Sequence, residues 1–269
     1  MPQRPPKNKL PADSVRDFRS LLNLALDETD DEGRAWSSAK WGCYAFYDYD
    51  GEPIYVGQTN ESLRVRVKRH LTNQRTDAVA MRILDVFEVA EIEMWPLWEF
   101  QQLDEQLRGK DLATRKLMKQ VAQDRLNAVE HSAYLQAIDD SRFKAILNEK
   151  IPPRSPRIEL PPSIRRPLIN KQTREERGHP DVRIARRAET ISRLAAVAHE
   201  RGEVSDGLRR VLVIQAVRLT YLSAERLAYV QGREKPSPAA INVHELVGSS
   251  LTEPSDAAVG ETEELDFEE

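Results

Sequence analysis

The chain of 269 residues has one cysteine, five histidines and no long apolar run. A single thiol, Cys43, excludes an internal disulfide and any cysteine-based zinc cluster, and its place among aromatic neighbours reads as a small buried hydrophobe. The histidines are scattered with no two at ligand spacing, so zinc is not implied. No stretch approaches the roughly eighteen apolar residues of a membrane span. Met1 to Leu10 carries proline and lysine where a signal peptide has its apolar centre. The expectation is a cytoplasmic protein with no membrane partner. Aromatics make up 6% of the chain and charged residues 31%, the balance of a globular domain with exposed appendages.

Charge is unevenly spread. From Glu245 to Glu269 there are nine acidic residues and no Lys or Arg, so a net charge of −4 divides into −9 there and +5 over residues 1–244. With few aromatics and no helical period, residues 233–269 read as an acidic disordered tail able to bind the chain's own basic surface or a protein partner. Ile151 to Pro167 holds six prolines and four arginines, which excludes regular helix and predicts a semi-rigid basic linker over residues 151–180. Residues 151–200 carry eleven Lys or Arg against six acidic residues. This is either a phosphate-binding track or a solvated helix face.

Two apolar, aromatic-rich runs, Trp41 to Tyr47 and Pro53 to Gln58, predict strands, and Asp48 to Gly51 between them supplies turn chemistry. The hairpin brings Tyr44 and Tyr55 towards one patch. Thr59 or Asn60 can cap a following helix, Glu61 to Thr72, whose Leu63, Val67 and Leu71 form the docking stripe. Arg66 and His70, four apart on the neighbouring stripe, point to the same place.

Ser14 to Leu26 predicts a short helix in an N-terminal extension, residues 1–37. Ala78 to Val86 reads as helix and Val89 to Trp95 as a third strand. The run Trp98 to Leu126, broken at Gly109-Lys110-Asp111, predicts two helices inserted before a helix bearing Glu130. Residues 38–150 therefore form an α/β core with added helices. Helices at Asp181 to Arg201 and Ser205 to Tyr229 make a C-terminal hairpin within residues 181–232. Such a hairpin is too thin to bury both apolar faces alone, which leaves packing on the core, gripping DNA, or forming a homodimer.

Gly42-Cys43-Tyr44, Tyr55-Val56-Gly57, Arg66 and His70, in this order and spacing, resemble the GIY-YIG nuclease family. The resemblance spans roughly residues 38–150 and implies a small three-stranded antiparallel sheet flanked by helices, here with a helical insertion. It implies a metal-dependent DNA endonuclease, with restriction or defence the expected setting. By the same resemblance a glutamate on a later helix binds one Mg²⁺ or Mn²⁺ ion. Glu130 is the candidate, with Glu99 or Glu105 next in line and Asn148 as a further catalytic candidate. Tyr44 is then the water activator, Tyr55 a positioning donor, His70 a proton relay and Arg66 the phosphate ligand. Arg64, Lys68 and Arg69 beside the hairpin, Arg154, Arg157, Arg165 and Arg166 in the linker, and Arg183, Arg186 and Arg187 after it are expected to contact DNA. The contrasting readings are a nuclease fold that binds DNA without cutting it, and an interaction protein that recruits a partner through its hairpin and tail.

Overall fold

The computed structural model describes residues 11–72 and 83–251. Gly42–Tyr47 (β1) and Pro53–Thr59 (β2) pair antiparallel with Tyr44 opposite Gly57 and Phe46 opposite Tyr55. The turn between them is tied by Asp48, whose Oδ1 accepts from the backbone N–H of Asp50 (2.9 Å) and Glu52 (3.2 Å), while Gly51 supplies the left-handed backbone at φ 72°. Glu91–Pro96 (β3) pairs with the other side of β1, and Ile164–Pro167 (β4) pairs with β3, giving the order β2-β1-β3-β4, antiparallel throughout.

The sheet thus has four strands where three were expected. β4 lies inside the proline-rich stretch read as a linker. Its pattern explains the omission: one buried residue, Ile164, precedes three exposed ones, and a strand closed by Pro167 is tolerated only at an edge. Leu168 and Ile169 then enter the core directly.

Alternation along the strands splits the core into two layers. On one face Tyr44, Phe46, Ile92 and Met94 pack with Phe18 and Leu22 of the first helix, Asp13–Asp27 (α1), and with Leu63 and Val67 of Leu63–Leu71 (α2). On the other, Cys43, Ala45, Val56 and Trp95 pack against Leu126, Val129 and Ala133. These last belong to one 29-residue helix, Leu112–Asp140 (α4), preceded by the single turn Leu103–Gln106 (α3). The sequence reading of two inserted helices before a separate Glu130 helix is corrected: the second insert and the Glu130 helix are continuous. Gly109, at φ 73°, ends the turn, and Asp111 caps α4 by accepting from Thr114 N–H at 3.0 Å. No Gly or Pro follows before Ser141 to break it. Of the helix expected over 78–86, residues 78–82 lie outside the described residues, and Val86–Glu88 is a short 3₁₀ turn.

Lys171–Arg177 (α5) leads into Pro180–Arg201 (α6) and Asp206–Val230 (α7), an antiparallel pair. Leu194, Val211, Ile214 and Val217 join the same hydrophobic cluster as Phe46 and Ile92, so among the expected alternatives the hairpin packs on the core. Val243–Val247 (α8) buries Val243, and Tyr134 Oη donates to the Ser250 carbonyl at 2.6 Å. The stretch from residue 233 is accordingly seated on the fold as far as residue 251, and 252–269 lie outside the described residues.

A buried ionic cluster fastens the hairpin pair to the β1–β2 turn. Asp48 Oδ2 accepts from Arg183 (2.9 Å), Arg187 (3.0 Å) and Arg218 (3.0 Å). Burial alone would raise the Asp48 carboxyl, but Arg218, Arg183 and Arg187 together hold it below the usual carboxylate range. Glu88 accepts from Arg187 Nε at 3.2 Å, and Glu52 from Arg142 Nε at 3.0 Å.

Candidate active site

Strand β2 is an edge of the sheet, and a cleft of about 530 Å³ runs along it, lined among others by Tyr55, Gly57, Gln58, Arg66, His70, Glu130 and Asn148. The site is assembled from both faces of the sheet around this edge. Tyr44, Tyr55, Arg66 and His70 come from the α2 face, and Gln58 and Glu130 from the α4 face. Asn148 closes the edge between them.

On the α2 side the rings form one group. Centroids of Tyr44 and Tyr55 are 6.2 Å apart, Tyr44 and His70 5.7 Å, and Tyr55 and His70 5.6 Å. Arg66, half-buried on α2, directs Nε to the Tyr44 hydroxyl at 3.4 Å. Tyr44 itself is fully buried. Burial, reinforced by the Tyr55 phenol and opposed by Arg66, pushes its hydroxyl well above the ordinary value near 10.

Two glycines make this packing possible. A Cβ on Gly57 would sit 2.7 Å from the Tyr44 hydroxyl and 2.9 Å from the Tyr55 ring, and one on Gly42 would sit 2.6 Å from the Trp95 carbonyl. Gly57 therefore leaves the space that the Tyr44 phenol fills. Gly57→Ala is expected to cost about 1–3 kcal/mol through overpacking and to displace that hydroxyl. Urea unfolding checks it, and an unchanged midpoint would contradict the stated fit.

On the other side, α4 carries Glu130 to the cleft, 8% exposed. Burial pushes its carboxyl up to about 7, against the pull of Arg66 and a hydrogen bond from Gln58. Gln58 Nε2 also donates to Asn127 Oδ1 at 3.2 Å. Asn148 Oδ1 accepts from Val56 N–H at 3.0 Å while its Nδ2 donates to the Val56 carbonyl at 2.8 Å, so both ends of its amide engage one residue of β2.

A model of the GIY-YIG catalytic domain matches residues 40–113. The chain carries a GIY-YIG domain. The match covers Gly42, Tyr44, Tyr55, Gly57, Arg66 and His70, so the family is reached independently of Glu130, which lies beyond the matched stretch. No curated protein and no solved structure matches the chain. GIY-YIG domains are nuclease domains, and the mixed α/β fold with its small antiparallel sheet agrees with that class.

The cleft brings together five of the predicted site residues, four from the matched GIY-YIG stretch and one beyond it: Tyr55, Arg66, His70 and Glu130 line it, and Tyr44 lies beneath through Arg66. Asn148 is also there, but as a support of β2. Glu99 and Glu105 are exposed outside the cleft, and Glu99 pairs with Arg125.

The expected DNA-contacting cations are largely committed to the fold. Arg183 and Arg187 are 2% and 5% exposed, held by Asp48 and Glu88 as described, which corrects their assignment to DNA: a guanidinium enclosed by carboxylates cannot reach a phosphate. Arg186 donates to Glu88 at 3.1 Å. Arg64 pairs with Asp27, Arg69 with Glu61, Arg157 with Asp139, Arg165 with Glu91 and Arg166 with Glu28. Lys68 and Arg154 make no ion pair with the described residues.

Sequence reasoning missed Gln58, which hydrogen-bonds Glu130, and Asn127, which holds Gln58. A signal for Gln58 existed: it follows Tyr55-Val56-Gly57 and shares the face of Val56, the one turned to α4. No helix among the described residues is long and apolar enough to cross a membrane.

Proposed function

We propose that the protein is a metal-dependent DNA endonuclease. The observation that carries the reading is the meeting in one cleft of Glu130 with Tyr55, Arg66 and His70, from segments some sixty residues apart. Arg66 presents a fork that fits two phosphate oxygens and stabilises charge developing there. Tyr44, kept neutral by its surroundings and buried beneath the cleft, accepts from Arg66 Nε and so orients the guanidinium. This replaces the expectation that it deprotonates water. Tyr55 positions the substrate from the cleft wall, and His70, packed at a tilt against both phenols, is the group suited to accept the water's proton.

The donor set fits one Mg²⁺ or Mn²⁺ ion. Glu130 is a hard oxygen ligand in a buried position that favours a cationic neighbour, as its raised carboxyl indicates. Among the described residues no group of three or more His, Cys, Asp or Glu could hold a metal, which suits an ion that takes the rest of its shell from water and phosphate. Such an ion supplies Lewis-acid stabilisation at the phosphoryl oxygens and a more acidic water.

Supercoiled plasmid tests this directly. Purified protein is expected to nick it with Mg²⁺ and not with EDTA, and Arg66→Ala is expected to lower the rate about 10²–10³-fold. Nicking equal in EDTA, or an unaffected Arg66→Ala variant, would contradict the proposal. Cut ends that fall at one repeated sequence would support a restriction-type specificity, and scattered ends would argue against it.

A further inference from the structure

While most of the expected DNA-binding arginines are ion-paired, a different basic set is free to act. Arg108 and Lys110 precede α4, and Arg115, Lys116 and Lys119 lie in its first turns. All five are exposed, and none forms an ion pair with the described residues. Residues 108–125 hold six basic side chains against Asp111 and Asp124.

Their placement on the helix is directional. With about 3.6 residues per turn, Lys116, Lys119, Gln123, Asn127 and Glu130 fall on one face. That face descends from exposed (Lys116, Lys119) through half-buried (Gln123, Asn127) to buried at Glu130. Gln123 Nε2 donates to Asn127 Oδ1 at 2.8 Å, and Gln58 joins the same oxygen, so uncharged amides bridge the lysines to the carboxylate. At about 1.5 Å per residue Lys119 and Lys116 stand about 16 and 21 Å from Glu130 along the axis. A duplex strand places a phosphate every ~3.4 Å of its axis. The two lysines are therefore about half a helical turn of DNA from the cleft.

We propose that this face of α4 is the track on which the phosphate backbone of duplex DNA enters the cleft. Lys116 and Lys119 neutralise phosphates about five or six base pairs from the one at Arg66. The identity of the ligand rests on the endonuclease reading, and its support here is charge: an unpaired basic stripe that leads into the cleft.

Anisotropy of a labelled duplex, titrated with the full chain without divalent metal over a salt series, reads the track separately from cleavage. Lys116→Ala/Lys119→Ala is expected to bind about tenfold more weakly near physiological salt and to lower the slope of log K against log salt by about 1.8, with its melting temperature unchanged. Arg165→Ala/Arg166→Ala, at the far edge of the sheet, is expected to change neither. Unchanged affinity and slope in the lysine variant would overturn the proposal, and so would an equal loss in the Arg165/Arg166 variant, which would mark a general charge effect. The chain's own acidic residues 252–269 are the rival occupant: if that peptide binds wild-type protein but not the lysine variant, while duplex binds both alike, the proposal falls. Plasmid nicking with Mg²⁺ by a protein whose lysine variant binds normally would sink the track and leave the nuclease reading. A slope that depends on the lysines in a protein that never nicks would do the reverse.

Discussion

Glu130→Gln is expected to abolish metal-dependent nicking of plasmid, about a thousandfold or more, and at the same time to stabilise the protein in alkaline buffer. The first effect follows from removing the buried cleft carboxylate offered to a divalent ion, a contribution worth several kcal/mol to the transition state. The second follows from linkage. The Glu130 carboxyl titrates at about 7 in the fold, above the ordinary value of about 4.3. Between those values the folded chain holds the proton and the unfolded chain does not. The neutral carboxyl's contribution is fully present below about 4.3 and is lost as pH rises through about 7, a cost of roughly 3 kcal/mol by pH 8. Glutamine carries no such cost. Urea unfolding of both proteins without metal, at pH 5 and pH 8, should show curves that converge at the acid end and separate at the alkaline end in favour of the variant. In the wild type, cleavage should rise with pH through about 7 as the carboxylate forms. A variant that still nicks, or that loses stability equally at both pH values, would contradict the placement of Glu130.

Asp48→Asn is expected to cost about 3–5 kcal/mol, the penalty for leaving buried cations without their counter-charge. Three guanidiniums converge on one oxygen of Asp48, and Arg218 and Arg183 are almost wholly enclosed. Asparagine retains an acceptor for the turn but removes the charge. Because the Asp48 carboxyl is held below its usual range, its contribution is present above about pH 4 and lost as the pH falls through the lowered value. Asp50→Asn is the control: its side chain is 41% exposed, and its loss should cost less than about 1 kcal/mol. Chemical denaturation of the two variants measures the difference, and equal, small effects would show that the cluster does not fasten the C-terminal helices to the hairpin.

The motif half of the site was legible because its spacing is local. Tyr44, Tyr55, Arg66 and His70 lie on a hairpin and the next helix, where periods of two and 3.6 fix which side chains meet. Glu130 was reachable only through family resemblance, since nothing local says that α4 brings its polar face to the edge of β2. The break at Gly109-Lys110-Asp111 does separate two helices, α3 and α4; what the sequence did not display is that α4 runs on unbroken past Leu126 to Asp140. β4 was hidden because a strand with one buried residue and flanking prolines has no alternation to read. The arginines of α6 misled for a different reason. A sequence displays charge but not its partner, and Asp48 sits 135 residues from Arg183. The counter-charge that buries them belongs to a turn whose acidic residues look like ordinary loop chemistry.

The grip of Asn148 on Val56 bears on how the molecule behaves in a crowd. An unpaired sheet margin offers donors and acceptors to any extended peptide, including a neighbour's, and invites aggregation. A catalytic cleft cannot cover that margin with another strand, because substrate has to reach it. One carboxamide that satisfies both the N–H and the carbonyl of Val56 blocks such templating at the point where the groove must stay open. Protection of the margin and an open groove are thus reconciled by a single side chain.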